Sequence, residues 1–477
     1  MHGNSLSATL GRYCTIENFM KLPDGPKAPV LIQTLRSIVR PLESLEANAR
    51  QYGDIFVSKF IGFQQIVVIA NPQAIQEIFT ADPKLFDSGK GNRIMLPLVG
   101  ENSLILHDGD YHQRQRRLLL PPFHGERMRA YGTLICDITS DVMNQKKMGE
   151  HFLARPAMQE ISLRAILRAV FGVDEGERFE QLRRLIGSLF DIFKYPLSAS
   201  FIFIPALQKD LGPWSPWGQF VRQRKQIHDL LYELIRERKA ENDPSKEDIL
   251  SLMLSARDEA GEPMTDEELC AELMTLLFGG HETTATSLAW ALYWIHHLPE
   301  VKEKLLHELD TLGENADPTA IAKLPYLNAV CSETLRLYPV LLFTFARLVK
   351  EPIKIMGYEF QPGTVLSPCI YLTHHRQDLY PEPKQFKPER FLERQYSPYE
   401  FLAFGGGNRR CIGMAFALFE MKLVLATILS QYQLELTDNR PVKPVRRVIA
   451  MAPSGDVGMI MKGQGQAIAK SLVSQAG

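Results

Sequence analysis

Between about residue 110 and residue 340, apolar positions recur at three- and four-residue spacing with prolines at the breaks, which predicts a long run of packed helices. Within it, Thr265 and Glu268 form the pattern of a capped helix start, and no proline follows until after Leu298. At about 1.5 Å per residue, one helix of roughly 50 Å is expected there. Further helical runs are predicted from Tyr326 to Tyr338 and from Met414 to Leu429. Extended, β-branched stretches stand at Ile55 to Phe60 and Gln65 to Ala70, joined by a short link containing Gly62, and a strand-turn-strand signal spans Ile353 to Leu366. The strands at both ends of the helical stretch are expected to pair into one small sheet. After the Met414 helix only a short tail is expected. The segment Leu22 to Pro29 is too rich in proline for helix or strand. The pattern predicts a mainly α protein with a minor β lobe: a leading segment 1–30, one domain 31–465 and a tail 466–477, without internal repeats.

Composition narrows the class. The chain has 477 residues, 45% of them hydrophobic and 23% charged, and 54 basic against 55 acidic residues leave a net charge of -1. No basic excess points to nucleic acid. The first twenty residues carry polar or charged groups every few positions, so no signal core or transmembrane anchor is expected and a cytoplasmic location fits. The six cysteines are scattered without a C-x-x-C pair, which suits a reducing compartment and lone thiols.

One of these thiols has an unusual setting. Cys411 follows the run from Phe404 through Gly405, Gly406 and Gly407 and stands just before an apolar helix. A helix N-terminus stabilises negative charge, and glycines allow backbone to approach a large flat ligand. An isolated cysteine in such a place is more often an ordinary buried thiol. Two glycines at the centre of the 265–298 helix, Gly279 and Gly280, cost about 1 kcal/mol each relative to alanine and need a reason, of which tight packing is the plainest. Glu333 and Arg336, three apart on one helix face, are by themselves a common solvated pair.

Taken together these stretches resemble the cytochromes P450. Phe404, Gly407, Arg409, Cys411 and Gly413 fill the haem-binding signature F-x-x-G-x-R-x-C-x-G; Glu333 and Arg336 match E-x-x-R; Pro388 to Phe391 match P-E-R-F; Gly279 to Thr283 match [AG]-G-x-[DE]-T; and His112 and Arg116 match W/H-x-x-x-R. The resemblance implies the cytochrome P450 fold, with haem b (iron protoporphyrin IX) between the central helix and the cysteine loop. It implies Cys411 as the iron's axial ligand, with Phe404, Gly413 and Gly280 close to the haem. His112, Arg116, Arg347, Arg409 and His375 would face the propionates, and Glu333, Arg336 and Arg390 would form a structural triad beneath the loop. Thr283 and Glu282 would be the catalytic pair that handles protons for oxygen activation, beside a distorted turn that makes room for oxygen.

The function so implied is a monooxygenase that inserts one atom of O2 into an apolar substrate such as a long-chain fatty acid, alkane or terpene. The apolar runs Val340 to Phe345 and Phe190 to Phe220 would line and cover the substrate pocket, the latter with peripheral membrane contact. With no flavin or iron–sulfur motif in the chain, electrons would come from a ferredoxin or flavodoxin and its NAD(P)H-dependent reductase. Arg409, Arg410, Lys422, Arg114 and Arg117 would offer that partner a basic face. A peroxygenase, an oxygen-independent isomerase or dehydratase, and a haem-binding sensor are the alternatives; retention of Glu282 and Thr283 favours monooxygenation. The finer resemblance is to soluble bacterial members, including a cyanobacterial branch.

Overall fold

In the computed structural model, residues 22–464 are described apart from 62–64, 124–126, 173–175, 193–206, 242, 244, 314–315 and 448. The longest helix is Asp266–His297, of 32 residues. Its start is a reciprocal cap: the Glu268 N–H donates to Thr265 Oγ1 at 3.2 Å, and the Thr265 N–H donates to Glu268 Oε2 at 2.9 Å. From Leu288 to Leu292 every residue has zero exposure, as expected of a helix that is apolar all round and packed on every side. The helices Ala154–Phe171 and Met414–Gln431 pack against it and enclose the main core.

Met414–Gln431 is also, among the described residues, the one helix long and apolar enough to cross a membrane. It is largely buried inside the protein, which accounts for its composition.

The β lobe joins the two ends of the helical stretch. Ile55–Ser58 and Ile66–Ile69 pair antiparallel, with Ile55 opposite Ile69; the Gly62 link lies outside the described residues. Val365–Pro368 then adds parallel to Ile66–Ile69, and Arg347–Leu348 closes the sheet antiparallel. The Ile353 to Leu366 stretch divides between sheets, because Ile353–Ile355 and Tyr358–Phe360 turn on each other at Met356 and Gly357 (φ 48° and 81°) before Val365 reaches the larger sheet.

The short tail expected after the cysteine helix is instead a set of strands. Gly458–Gln464 lies between His151–Leu153 and Tyr432–Leu436, and Pro444–Arg447 pairs with Ala450–Pro453 as a hairpin. These strands are only three to seven residues long, and three of the five carry Pro, Lys or Arg, so a two-residue period is too short or too broken to stand out in sequence. Of the expected apolar lid, residues 193–206 lie outside the described residues. Its end forms the start of the helix Pro216–Glu241, with Trp214 just before it 77% exposed.

Candidate functional site

A cavity of about 720 Å³ separates the central helix from the cysteine loop. The loop's shape follows from its glycines. Gly405 and Gly407 take left-handed φ of 65° and 62°, and a Cβ on Gly406 would stand 2.2 Å from the Phe79 ring. The Cys411 N–H donates to the Phe404 carbonyl at 2.9 Å, closing the loop, and Gly413 then caps Met414–Gln431. Cys411 is open to the cavity while protein surrounds it elsewhere. Burial raises its pKa, and the Gly413 N–H, Arg116 and Arg410 oppose that rise.

One end of the cavity is crowded with cations. Arg347 is 2% exposed, donates to the carbonyls of Phe345 and Gly406 at 2.8 and 3.3 Å, and is pushed down to about 9 by burial. Arg409 pairs with Asp108 at 2.5 Å and donates to Leu104 O at 3.0 Å, yet its buried Nε has no partner. Arg116 donates to Arg410 O at 2.6 Å and is lowered by burial. His112, buried among these three arginines, is pushed down to about 3, chiefly by desolvation. Three guanidiniums beside a neutral imidazole, with Asp108 paired to Arg409, suit a ligand that brings two carboxylates.

Across the cavity the two central glycines serve different ends. A Cβ on Gly279 would meet nothing within 4 Å, so this position is open; a Cβ on Gly280 would stand 2.0 Å from Ile166 Cδ1, so that glycine serves helix packing. The expected distorted turn is not present: the helix is continuous, and the hydroxyls of Thr283 and Thr284 donate to Gly279 O and Gly280 O at 2.6 and 2.9 Å. Those i−4 bonds satisfy the hydroxyls without opening the backbone ladder. Glu282 accepts from Arg155 at 2.7 Å and from Gln159 at 2.6 Å. Burial raises its pKa and Arg155 opposes this. Arg155 also donates to Asp456, which Arg447 holds at 2.8 Å.

Beneath the loop, Arg336 donates twice to Glu333, at 2.6 and 2.8 Å, and Arg390 donates to the same carboxylate at 3.1 Å. Glu333 and Arg336 have zero exposure, so this pair differs in kind from a solvated one. Arg336 further donates to the carbonyls of His374, Pro383 and Gln385. His374, which the sequence did not single out, carries this cluster to the cysteine loop. His375, expected at the propionates, is instead turned away from the cavity: its Nδ1 meets Tyr371 O at 2.8 Å and its ring lies 4.1 Å from that of Tyr371. In a His-His pair at a helix end only the fold decides which ring points where, and no sequence signal separates them.

Of the five cations expected to form a basic face, three are paired with acids. Arg114 pairs with Asp258 and Glu268 at 2.5 and 3.1 Å, Arg117 with Glu259 at 2.5 Å, and Lys422 donates to Ala322 O at 2.9 Å. Arg409 is buried against Asp108, and Arg410 is left exposed beside Cys411.

A thiol at a helix start, an opposing helix with an open glycine, and a cationic rim make a site shaped for a flat dianionic cofactor; the unpartnered Arg409 Nε and the open space at Gly279 and Gly413 fit a haem. The family model for cytochrome P450 matches residues 23–457, and the chain belongs to that family. Its members are haem-dependent monooxygenases. Among relatives, a Mycobacterium tuberculosis protein bearing the name cytochrome P450 135B1 is 34% identical over 435 residues, 91% of this chain and 90% of its own. One named cytochrome P450 138 from the same organism is 34% identical over 445 residues, covering 93% and 97%. Neither name specifies a substrate. The solved structure of retinoic acid-bound cyanobacterial CYP120A1 has a TM-score of 0.79 at 25% identity, covering 92% of this chain and 99% of that one. The cytochrome P450DA haem domain superposes with a TM-score of 0.81 at 22% identity, covering 93% and 98%, which shows the shared fold.

Proposed function

We propose that Cys411 is the axial thiolate of the haem iron and that this enzyme hydroxylates an apolar molecule of the size of a long-chain fatty acid, alkane or terpene. The observation that carries the reading is the placement of Cys411 and of Gly279 and Thr283 on the same cavity, with Arg116, Arg347, Arg409 and His112 at one end. When bound, a thiolate-ligated haem supplies oxygen activation, with electron donation from sulfur favouring O–O cleavage. The chain's own residues do the rest. The arginines would hold the propionates, and Gly279 keeps its part of the cavity wall free of a side chain. The Thr283 hydroxyl, anchored on Gly279 O, keeps its lone pairs for a proton donor in the cavity. Glu282, held by Arg155 and Gln159 with a raised pKa, is a proton source behind it.

Apolar side chains such as Leu98, Ile166, Leu276 and Val340 line the cavity, which favours a hydrophobic substrate. The cyanobacterial relative's ligand, retinoic acid, is an apolar chain ending in a carboxylate and supports the same class here. Electrons come from a separate ferredoxin or flavodoxin with its NAD(P)H-dependent reductase, which meets the surface at Arg410. The decisive experiment is reconstitution of haem-loaded protein with such partners. Product that requires NAD(P)H, partner and O2 supports the reading; equal product from peroxide alone, or a Cys411→Ser protein whose reduced carbon monoxide complex keeps a thiolate-type spectrum, overturns it.

A further inference from the structure

Among the described residues, every hydrogen bond of the Arg409 guanidinium ends on residues 104 to 108: it donates to Leu104 O at 3.0 Å, to Ile105 O at 3.5 Å, to His107 O and to Asp108 Oδ1. The direction of this arginine is therefore set by that turn. The far end of the turn is anchored where Asp108 accepts the Gly89 N–H at 2.6 Å. Its near end is anchored on the central helix, where Glu272 Oε1 accepts the Leu104 N–H at 2.7 Å. Three residues along that helix, the Thr275 hydroxyl donates to Ala271 O at 2.8 Å, so its oxygen is left to accept from the Ser103 hydroxyl 2.8 Å away. Ser103 Oγ in turn accepts the Ile105 N–H at 3.3 Å. Leu104, Ile105, Glu272, Thr275 and Arg409 all line the cavity.

Glu272 has zero exposure, and complete burial of a carboxyl is unfavourable unless the group is bonded. Its Oε2 has no partner among the described residues, so the Leu104 contact is the hydrogen bond that this side chain is placed to make. Burial raises Glu272 well above the ordinary carboxyl range while the Leu104 N–H opposes the rise, so the group is neutral at pH 7. A neutral acid fixes the turn without drawing the guanidinium away from the cavity, as an ionised one would. Resting on the reading that Arg409 holds a haem propionate, we propose that Glu272 is a positioning residue for the cofactor: it ties the Leu104 turn to the central helix, and the turn holds Arg409 at the propionate.

The test follows transfer of haem from the holoenzyme to excess apomyoglobin, together with the haem reduction potential. The proteins compared are the wild type, Glu272→Met, Glu272→Gln, Arg409→Gln and a double variant carrying Glu272→Met with Arg409→Gln. Glu272→Met keeps the side-chain length but removes the acceptor; it should speed haem loss about tenfold and lower the potential, because a propionate without its cation favours the ferric state. Glu272→Gln keeps a neutral oxygen for the Leu104 N–H and should stay within about twofold of the wild type, with its potential unchanged. In the Arg409→Gln background, Glu272→Met should alter neither reading further. An unaltered Glu272→Met, or the same acceleration with and without Arg409, overturns the proposal. So does a Glu272→Gln protein as impaired as Glu272→Met, and failure of Glu272→Met to fold assigns the residue to stability and overturns it too. Haem loss from Arg409→Gln at the wild-type rate removes Arg409 from the propionates, and it is then the reading beneath the proposal that falls.

Discussion

His374 Nε2 accepts the backbone N–H of Leu402 at 2.8 Å, two residues before Phe404 opens the cysteine loop. Burial and the neighbouring Arg336 hold this imidazole neutral, so its other nitrogen donates to Arg336 O at 3.2 Å. One ring thereby couples the Glu333–Arg336 pair to the segment that presents Cys411.

His374→Ala is therefore expected to leave the buried Leu402 N–H without an acceptor, at a cost of about 1–3 kcal/mol. Thermal unfolding should show a lowered Tm, and the reduced carbon monoxide complex should show less of the thiolate-type species. An unchanged spectrum with lowered Tm would place His374 in stability alone.

Glu420 is 1% exposed, and burial pushes its carboxyl up to about 8 from an ordinary value of 4.5. A carboxyl raised in the folded state contributes stability below its unfolded pKa, and that contribution is lost as pH rises through the folded one. Glu420→Gln should therefore stabilise the protein by about 3 kcal/mol at pH 7, with the advantage shrinking towards pH 4.5. Melting curves of both proteins across that range check this; a pH-independent difference would refute it.

Gly280→Ala should clash with Ile166 and destabilise the fold by about 1–3 kcal/mol, with Ile166→Ala in the same chain relieving the clash. Gly279→Ala should raise stability by about 1 kcal/mol, because its added methyl enters open space and alanine is the better helix former, and should weaken substrate binding. Denaturant unfolding separates the two; equal losses at both positions would contradict the division of roles.

Thr283→Val keeps shape but removes the hydroxyl. Product formed per NAD(P)H should fall about tenfold while hydrogen peroxide release rises, with substrate affinity little changed. A fully coupled variant would remove Thr283 from proton handling.

Much of this protein is legible along the chain. The 3.6-residue period and the Thr265–Glu268 cap locate the central helix to within a residue, since a long apolar period and a reciprocal cap are local properties. The spacing around Cys411 and the Glu333–Arg336 pair likewise name their motifs without any knowledge of the fold. What the strands after residue 431 do was not legible, because short strands take their stability from partners distant in sequence, such as His151–Leu153 for Gly458–Gln464.

The tertiary structure alone decided direction and company. It turned His374 rather than His375 to the loop, and gave Gly280 to packing and Gly279 to the cavity. It also bound Glu282 to Arg155 and spent Arg114, Arg117 and Arg409 on acids that sequence leaves far away. Local pattern specifies which residue types stand at a position on a helix or loop. Which groups face each other, and hence their burial, charge state and chemistry, is set by contacts between elements.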